Sequence, residues 1–158
     1  MKKIMKSDSS KHTMQIQDNP KVAKIINYIM QNGKKTVAQR IYRNMLQEIK
    51  QNGHMKPIVV VETAIENASP QVMVKSKRIG GSVYQVPVEV KTHKRLFYAM
   101  KWILQSVHSK SGKPMHKRLA EELLAAYSGQ GSAVKRKEET HKMAEANKAF
   151  AYMANYVN

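Results

Sequence analysis

The feature that most limits how this chain can fold is Gly80-Gly81, set between two β-prone runs. Val72-Met73-Val74-Lys75-Ser76-Lys77-Arg78 precedes it, and Val83-Tyr84-Gln85-Val86-Pro87-Val88-Glu89-Val90 follows. Adjacent glycines here predict a tight hairpin, because both central residues of the favoured two-residue turn need positive φ. With Gly80-Gly81 as the loop, Arg78 faces Val83, Lys77 faces Tyr84 and Lys75 faces Val86. Neither face of such a ribbon is wholly apolar near its tip. The tip is therefore expected to project as an arm, gripped at its base by Val72, Val74, Val88 and Val90. An isolated hairpin is marginal in water, so ordering against a partner is expected. Pro87 is compatible because both strands of such a ribbon are edges.

Helical periodicity occupies most of the remainder. Asn19-Pro20 reads as an N-cap followed by Pro at the first helical position, with Val22, Ile25, Ile26 and Ile29 as the apolar stripe and Asn32-Gly33 as the stop. A second helix is expected from about Thr36 to Gln51, with Val37, Ile41, Met45 and Ile49 spaced by four and Asn52-Gly53 ending it. Pro57 to Asn67 is ambiguous, since Ile58-Val59-Val60-Val61 suits a strand while Ile58, Val61 and Ile65 suit a helix. Helix returns at Thr92, with Leu96, Met100, Ile103, Leu104 and Val107 as one stripe and Trp102 off its centre. Pro114 opens the next, with Met115, Leu119, Leu123 and Tyr127 in line, ending at Gly129-Gln130-Gly131. The last is expected over Ala133 to Tyr152, burying Met143, Ala146, Ala149 and Phe150. The expected fold is mainly α, a single-domain bundle of about six helices with a projecting two-stranded β-hairpin arm. Residues 1–18 are read as a flexible basic N-terminal arm, 19–154 as the helical body with its β-arm at 72–90, and 155–158 as a tail.

Charge narrows the function. The chain of 158 residues carries 28 Lys+Arg against 11 acids, a net +17. A small domain needs a net charge of only about 2 to 8 for solubility, and a larger excess repels itself in the compact state. An external polyanion is the expected remedy: first a phosphate backbone, whose condensed counterions each Lys or Arg releases, and second an anionic membrane surface. Residues 1–50 hold 11 bases and 3 acids, and residues 75–118 hold 11 bases and Glu89 alone. Residues 51–74 and 119–158 are close to neutral. Two separated blocks suit a folded body that is basic over a wide surface rather than a polybasic tail.

Other chemistries find no support in the residues. Zero cysteines exclude a disulfide scaffold, a thiolate metal site and a cysteine nucleophile. The six histidines have no spacing that would gather a metal, and no cofactor is expected. Glu121-Glu122 and Glu138-Glu139 are adjacent and diverge on a helix, which suits surface pairing with Arg118, Lys135 or Lys142 rather than acid–base catalysis. No phosphate-binding GxxxxGK[ST] and no G-x-S-x-G turn occurs, so an enzyme is not expected. No apolar run approaches the roughly 18 residues of a spanning helix. The basic start leads into Ser, Asp and Lys, not into a signal-peptide core.

Two stretches carry a resemblance. Val74 to Val90 resembles the basic hairpin of the small-subunit ribosomal protein seven family, in its bacterial and organellar type. Ala133-Val134-Lys135-Arg136-Lys137-Glu138-Glu139-Thr140-His141-Lys142-Met143-Ala144-Glu145-Ala146-Asn147-Lys148-Ala149-Phe150-Ala151 is similar to its C-terminal signature. Asn32-Gly33-Lys34-Lys35 and Lys117-Arg118-Leu119-Ala120-Glu121-Glu122-Leu123 are lesser echoes, and the likeness covers about residues 19–154. The first 18 residues depart from an Arg-rich start common in bacterial members.

The resemblance implies a helical bundle with the arm between its third and fourth helices, which would make Pro57–Asn67 a helix. It implies a primary binder of the 3′ major domain of small-subunit ribosomal RNA, around which the subunit head assembles. The arm would reach toward exit-site transfer RNA and the messenger RNA path, with head and platform proteins nearby. The implied RNA surface includes Lys34, Lys35, Arg40 and Arg43, then Lys75, Lys77 and Arg78 on the arm. It continues through Lys91, Lys94, Arg95, Lys110, Lys113, Lys117 and Arg118. These residues belong to the two basic blocks. Arg78 beside the turn can place a planar fork on phosphate, and Tyr84 and Trp102 are candidate stacking rings, with a core role as the alternative.

The leading expectation is thus a structural RNA-binding component of a bacterial-type ribosome, in bacterial cytoplasm or an organellar matrix. Lys outnumbers Arg 22 to 6, which leans toward an AT-rich or organellar gene, the mitochondrion slightly favoured. The competing class is a histone-like DNA compactor, for which no spare apolar stripe remains to build a dimer. A membrane-surface protein would need a basic helix with an apolar face open to lipid.

Overall fold

The computed structural model describes residues 20–156, and the expected N-terminal arm and Asn19 cap lie outside them. Two compact units are distinguished, Met1–Asn44 and Met45–Asn158. In the first, α1 (Pro20–Ile29) buries Val22, Ile25, Ile26 and Ile29, the expected stripe. The chain then turns through Asn32 and Gly33, both at positive φ, into α2 (Lys35–Gln51), which runs on into the second unit.

The buried residues of α2 are Ala38, Tyr42, Met45, Leu46 and Ile49, whereas Val37 and Ile41 are half-buried. The expected stripe, spaced strictly by four, is therefore corrected. A step of four residues overshoots one helical turn by about 40°, so a true stripe mixes steps of three and four.

The ambiguous segment is a helix, α3 (Pro57–Ala68), with Pro at its first turn and Val60, Val61, Ala64, Ile65 and Ala68 buried. Strands β1 (Val72–Ile79) and β2 (Ser82–Glu89) form the antiparallel hairpin. Its register pairs Arg78 with Val83, Lys77 with Tyr84 and Lys75 with Val86, as expected. Gly80 at φ 57° and Gly81 at φ 88° supply the turn conformation that side-chain-bearing residues avoid. Val90 is buried at the base, while Val72, Val74 and Val88 are half-buried. Val86 is fully buried.

Helices α4 (Thr92–Ser109), α5 (Met115–Tyr127) and α6 (Ser132–Ala146) follow, then a 3-10 segment (Lys148–Tyr156). On α4 the buried residues are Ala99, Met100, Ile103, Ser106 and Val107, with Leu96 and Leu104 half-buried beside them. Leu119, Ala120, Glu122, Leu123 and Ala126 are buried on α5, whereas Tyr127 is exposed and meets the His54 ring edge-on at 5.5 Å. Alanines 64, 68, 99, 120, 126 and 133 have no exposed surface, so the second unit is built on close helix contacts.

The last expected helix is corrected in length and face. It stops at Ala146, and the chain tightens into 3-10 geometry from Lys148. Its buried residues are Ala133, Val134, Thr140 and Ala144, while Met143, Ala146 and Ala149 are exposed and Phe150 is half-buried. The 3-10 segment lies along β2, with the Phe150 ring 5.5 Å from that of Tyr84. The hairpin, expected to stand free beyond its base, is thus lined along one strand by the chain's own C-terminal segment.

A buried carboxylate joins α4, α5 and α6. Glu122 is 1% exposed, not the surface partner its sequence suggests. Oε2 accepts hydrogen bonds from the Ser106 hydroxyl at 2.8 Å and the Lys110 ammonium at 2.7 Å. Oε1 accepts one from the backbone N–H of Ala133 at 3.1 Å, in the first turn of α6. Burial pushes its pKa up, but the hydrogen bonds from Lys110, Ser106 and Ala133, with the Lys110 charge, outweigh that and hold it below the usual carboxylate range. Gly131, at φ 97° and ψ 166°, leads into α6. A Cβ there would lie 3.2 Å from both Glu122 Oε1 and Ala125 Cβ.

Helix ends in this unit are closed by tertiary contacts. Arg118 donates from Nη1 to the carbonyls of Val107, at 2.9 Å, and of Lys110, at the C-terminus of α4. Asn67 donates to Ala126 O at 3.0 Å, ending α5, and Lys137 donates to Asn67 O at 2.9 Å, ending α3. At the hairpin base, the Gln71 N–H donates to His141 Nε2 at 3.1 Å. Burial, then the nearby Lys137 charge, hold His141 below its ordinary pKa, in keeping with a neutral accepting ring.

Both shifts weaken the fold on acidification. A depressed pKa gives stability that is complete above the unfolded value, about 4.3 for Glu and 6.5 for His, and lost as pH falls through the folded one. Glu122→Gln should cost about 1.5–3 kcal/mol in urea denaturation at pH 7, the worth of hydrogen bonds to a charged group. The gap from wild type should narrow as pH falls below the ordinary Glu value of about 4.3 and on through the lower folded value, where the wild-type carboxylate takes up its proton; a gap independent of pH would contradict the ionised assignment. Gly131→Ala, placed in a region of φ and ψ reserved for glycine, should cost about 1–3 kcal/mol by the same measurement.

Candidate nucleic-acid interface

A helix is normally favoured by an acid in its first turn, where the macrodipole is positive. Among the described residues, none of the six α-helices carries one. Cations stand there instead in all but α3: Lys21, Lys35, Lys94, Lys117 and Lys135. Added to the partial positive charge and open N–H groups of a helix start, they make these ends electrostatically suited to phosphate. The pattern becomes legible in the sequence only once the helix starts are known.

In the first unit, Lys34 and Lys35 are exposed where the turn enters α2, closed by the Lys34 N–H on Gln31 O at 3.0 Å. Arg40 and Arg43 are exposed on α2. With Thr36, Gln47 and Lys50 they form a polar stripe at steps of three and four, opposite the buried one.

On the hairpin, the pleat puts Lys75 and Lys77 on the face of Tyr84 and Val86, while Arg78 shares the other with Val83. Lys75 and Arg78 are exposed, and Lys77 is half-buried. Val83 at the tip is 65% exposed. Tyr84 packs on Phe150 and is not an open stacking platform.

At the start of α4, Lys91 and Lys94 are exposed, whereas Arg95 turns back to donate from Nε to Val90 O at 3.1 Å, bracing the exit from β2. Trp102 is half-buried beside Tyr98, whose ring also meets the exposed Phe97. About 27 Å along, at 1.5 Å per residue, α4 ends at a second group of cations. There Lys110 is held by Glu122, Lys113 pairs with Glu121, and Lys117 lies 3.9 Å from Glu48. The Lys113 pair is exposed and the Lys117 pair is long, with Glu48 half-buried, and both are of the weak, exchangeable kind. Lys110 and Arg118 also serve the fold, at Glu122 and at the end of α4. The structure therefore gathers Lys110, Lys113, Lys117 and Arg118 at one corner, places Lys91, Lys94 and Arg95 at the other end of α4, and keeps Lys75, Lys77 and Arg78 on the hairpin.

Among the described residues, no three His, Asp or Glu side chains are grouped to hold a metal ion. No helix there is long and apolar enough to cross a membrane.

The family described as Ribosomal protein S7p/S5e matches residues 1–148. This takes in the first 18 residues, which the resemblance was not expected to cover, and stops short of 154. The small ribosomal subunit protein uS7 of Pseudothermotoga lettingae is 48% identical over 132 residues, covering 84% of this chain and 85% of that protein. Its namesake in Herpetosiphon aurantiacus is 46% identical over 135 residues, covering 85% and 86%. That of Nitrosococcus oceani is 48% identical over 131 residues, covering 83% and 84%. With the hairpin register and the helical order in agreement, this chain belongs to the S7p/S5e family of ribosomal proteins.

Proposed function

We propose that this chain is a structural constituent of the small ribosomal subunit, binding the 3′ major domain of its RNA and nucleating assembly of the head. The observation that carries the RNA contact is electrostatic. Its cations stand at acid-free helix starts and along the hairpin and far outnumber the acids, so an outside polyanion is needed to neutralise the excess. Lys34, Lys35, Arg40, Arg43, Lys75, Arg78, Lys91 and Lys94 are the direct phosphate contacts, with Lys77, Lys113 and Lys117 joining as their internal partners exchange. Lys110, Arg95 and Arg118 act mainly by fixing the surface from which the others reach.

Such contacts read shape and backbone at helical junctions rather than a base sequence. The hairpin, with its exposed tip, extends toward exit-site transfer RNA and messenger RNA, and neighbouring head and platform proteins complete the surroundings. The role is architectural and contains no catalytic step. The ribosome concerned is of bacterial type. An organellar setting rests only on the Lys-to-Arg ratio, and the three relatives are bacterial.

In sucrose gradients of lysate at moderate salt, the chain should sediment with small subunits; recovery only with DNA or in the membrane pellet would reject the proposal. Changing Lys75, Lys77 and Arg78 together to Ala should weaken binding to a head-domain RNA fragment. It should also reduce the slope of log affinity against log salt by about 2 to 3, roughly one unit for each phosphate no longer neutralised. An unchanged slope would remove the hairpin from the phosphate interface.

A further inference from the structure

The S7p/S5e match ends at residue 148, yet the chain continues against the hairpin. Phe150 seats the 3-10 segment on Tyr84, and Tyr152 and Met153 come beside Lys77, Arg78 and Ile79 near the hairpin tip. Between them lies an open cavity of about 470 Å³ lined by Lys77, Arg78, Ile79, Tyr152 and Met153. Tyr152 is 67% exposed, Arg78 is exposed, and Ile79 and Met153 are half-buried. The lining holds two cationic side chains and no carboxylate, which favours an anion over a cationic peptide. Ile79 and Met153 add apolar surface, and the Tyr152 ring a flat aromatic one. An inorganic anion would use the cations and leave the rest idle, while a ligand with both a phosphate and a planar ring uses all of them.

We propose that this cavity is a single-nucleotide subsite for unpaired RNA, in which one unstacked base lies on Tyr152 over Ile79 and Met153 and the adjoining phosphate meets Arg78. Lys77, the preceding strand residue, adds a second positive charge to the lining. The volume falls within the range of small-molecule sites, about 300–1,000 Å³, and a paired base within a helix cannot enter it. Stacking on a tyrosine tolerates every base, so the subsite grips single strands with little sequence preference. This inference rests on the RNA-binding reading of the hairpin, and it adds the C-terminal segment as the second wall.

The test uses the full-length chain and a single-stranded RNA hexamer with 2-aminopurine at one central position. Binding of a structured head-domain RNA fragment is measured in parallel. Wild type should quench the 2-aminopurine as it stacks. Tyr152→Ala should abolish the quenching and weaken hexamer binding about tenfold, with an unchanged salt slope. Tyr152→Phe should keep both the quenching and the affinity. Arg78→Ala should instead reduce the salt slope by about 1. If wild type binds the structured fragment but leaves the hexamer unquenched, or if Tyr152→Ala quenches like wild type, the subsite is overturned and the ribosomal reading stands. If wild type binds neither RNA, the ribosomal reading itself falls and the subsite with it. The quenching in wild type depends on no variant, so a Tyr152→Ala chain with a loosened C-terminal segment would not blur the result.

Discussion

Glu122 is the residue on which the second unit turns. It is the one acid buried among the described residues, in a chain with a large excess of cations. Burying a carboxylate is costly unless its oxygens are satisfied. Three donors from Ser106, Lys110 and Ala133 meet that requirement and draw in the C-terminal half of α4, the residue just past its end, and the start of α6. The fixed start of α6 matters further along the same helix, where Lys137 closes α3 and His141 receives the Gln71 N–H at the hairpin base. One carboxylate thus sets the helix from which the hairpin is aimed. Gly131 belongs to the same device, because a methyl group there would press on the carboxylate and on Ala125.

Cations in this protein divide between two tasks that sequence alone does not separate. Arg118 and Lys110 look, by their place in a basic block, like surface residues waiting for phosphate. The fold commits them to helix ends and to Glu122. Cations at helix starts do the reverse. They oppose the local dipole and so weaken their own helices by a few tenths of a kcal/mol or more each. A fold selected only for stability would have placed acids there, and departures from local rules concentrate at functional sites. The helix starts are therefore a sharper marker of the polyanion-facing surface than the total charge.

The hairpin was legible to the residue because its information is local: two glycines demand positive φ, and the pairing then follows by counting. The first helix was equally legible, since its stripe is purely aliphatic. On α6 the apolar residues misled, because the buried seam includes Thr140 and the half-buried Lys137 among Ala133, Val134 and Ala144. Thr140 returns its hydroxyl to Arg136 O, and Lys137 donates from its ammonium to Asn67 O. Polar groups satisfied in this way can occupy a seam that hydropathy would assign to Met143 and Ala146. Glu122 was hidden for the same reason. Its partners lie 11 to 16 residues away, and only tertiary structure brings them together.

The packing of the C-terminal segment on the hairpin changes what binding requires of the arm. A bare two-stranded ribbon would have to order itself as RNA arrived, and that entropy would be subtracted from the affinity. Here Val86 is fully buried and Tyr84 is packed on Phe150, so one face of the ribbon already has a protein partner. Arg78 and Val83 share the opposite face near the tip and remain exposed. Alternation along a strand thus separates two duties: one set of side chains anchors the arm, and the next residue over is left for the ligand. A one-residue slip in register would exchange the two faces, turning Arg78 inward and Val86 out to solvent. The Gly80-Gly81 turn is what forbids that slip, so the conformational freedom of two glycines ultimately decides which side chains of the arm stand on its open face.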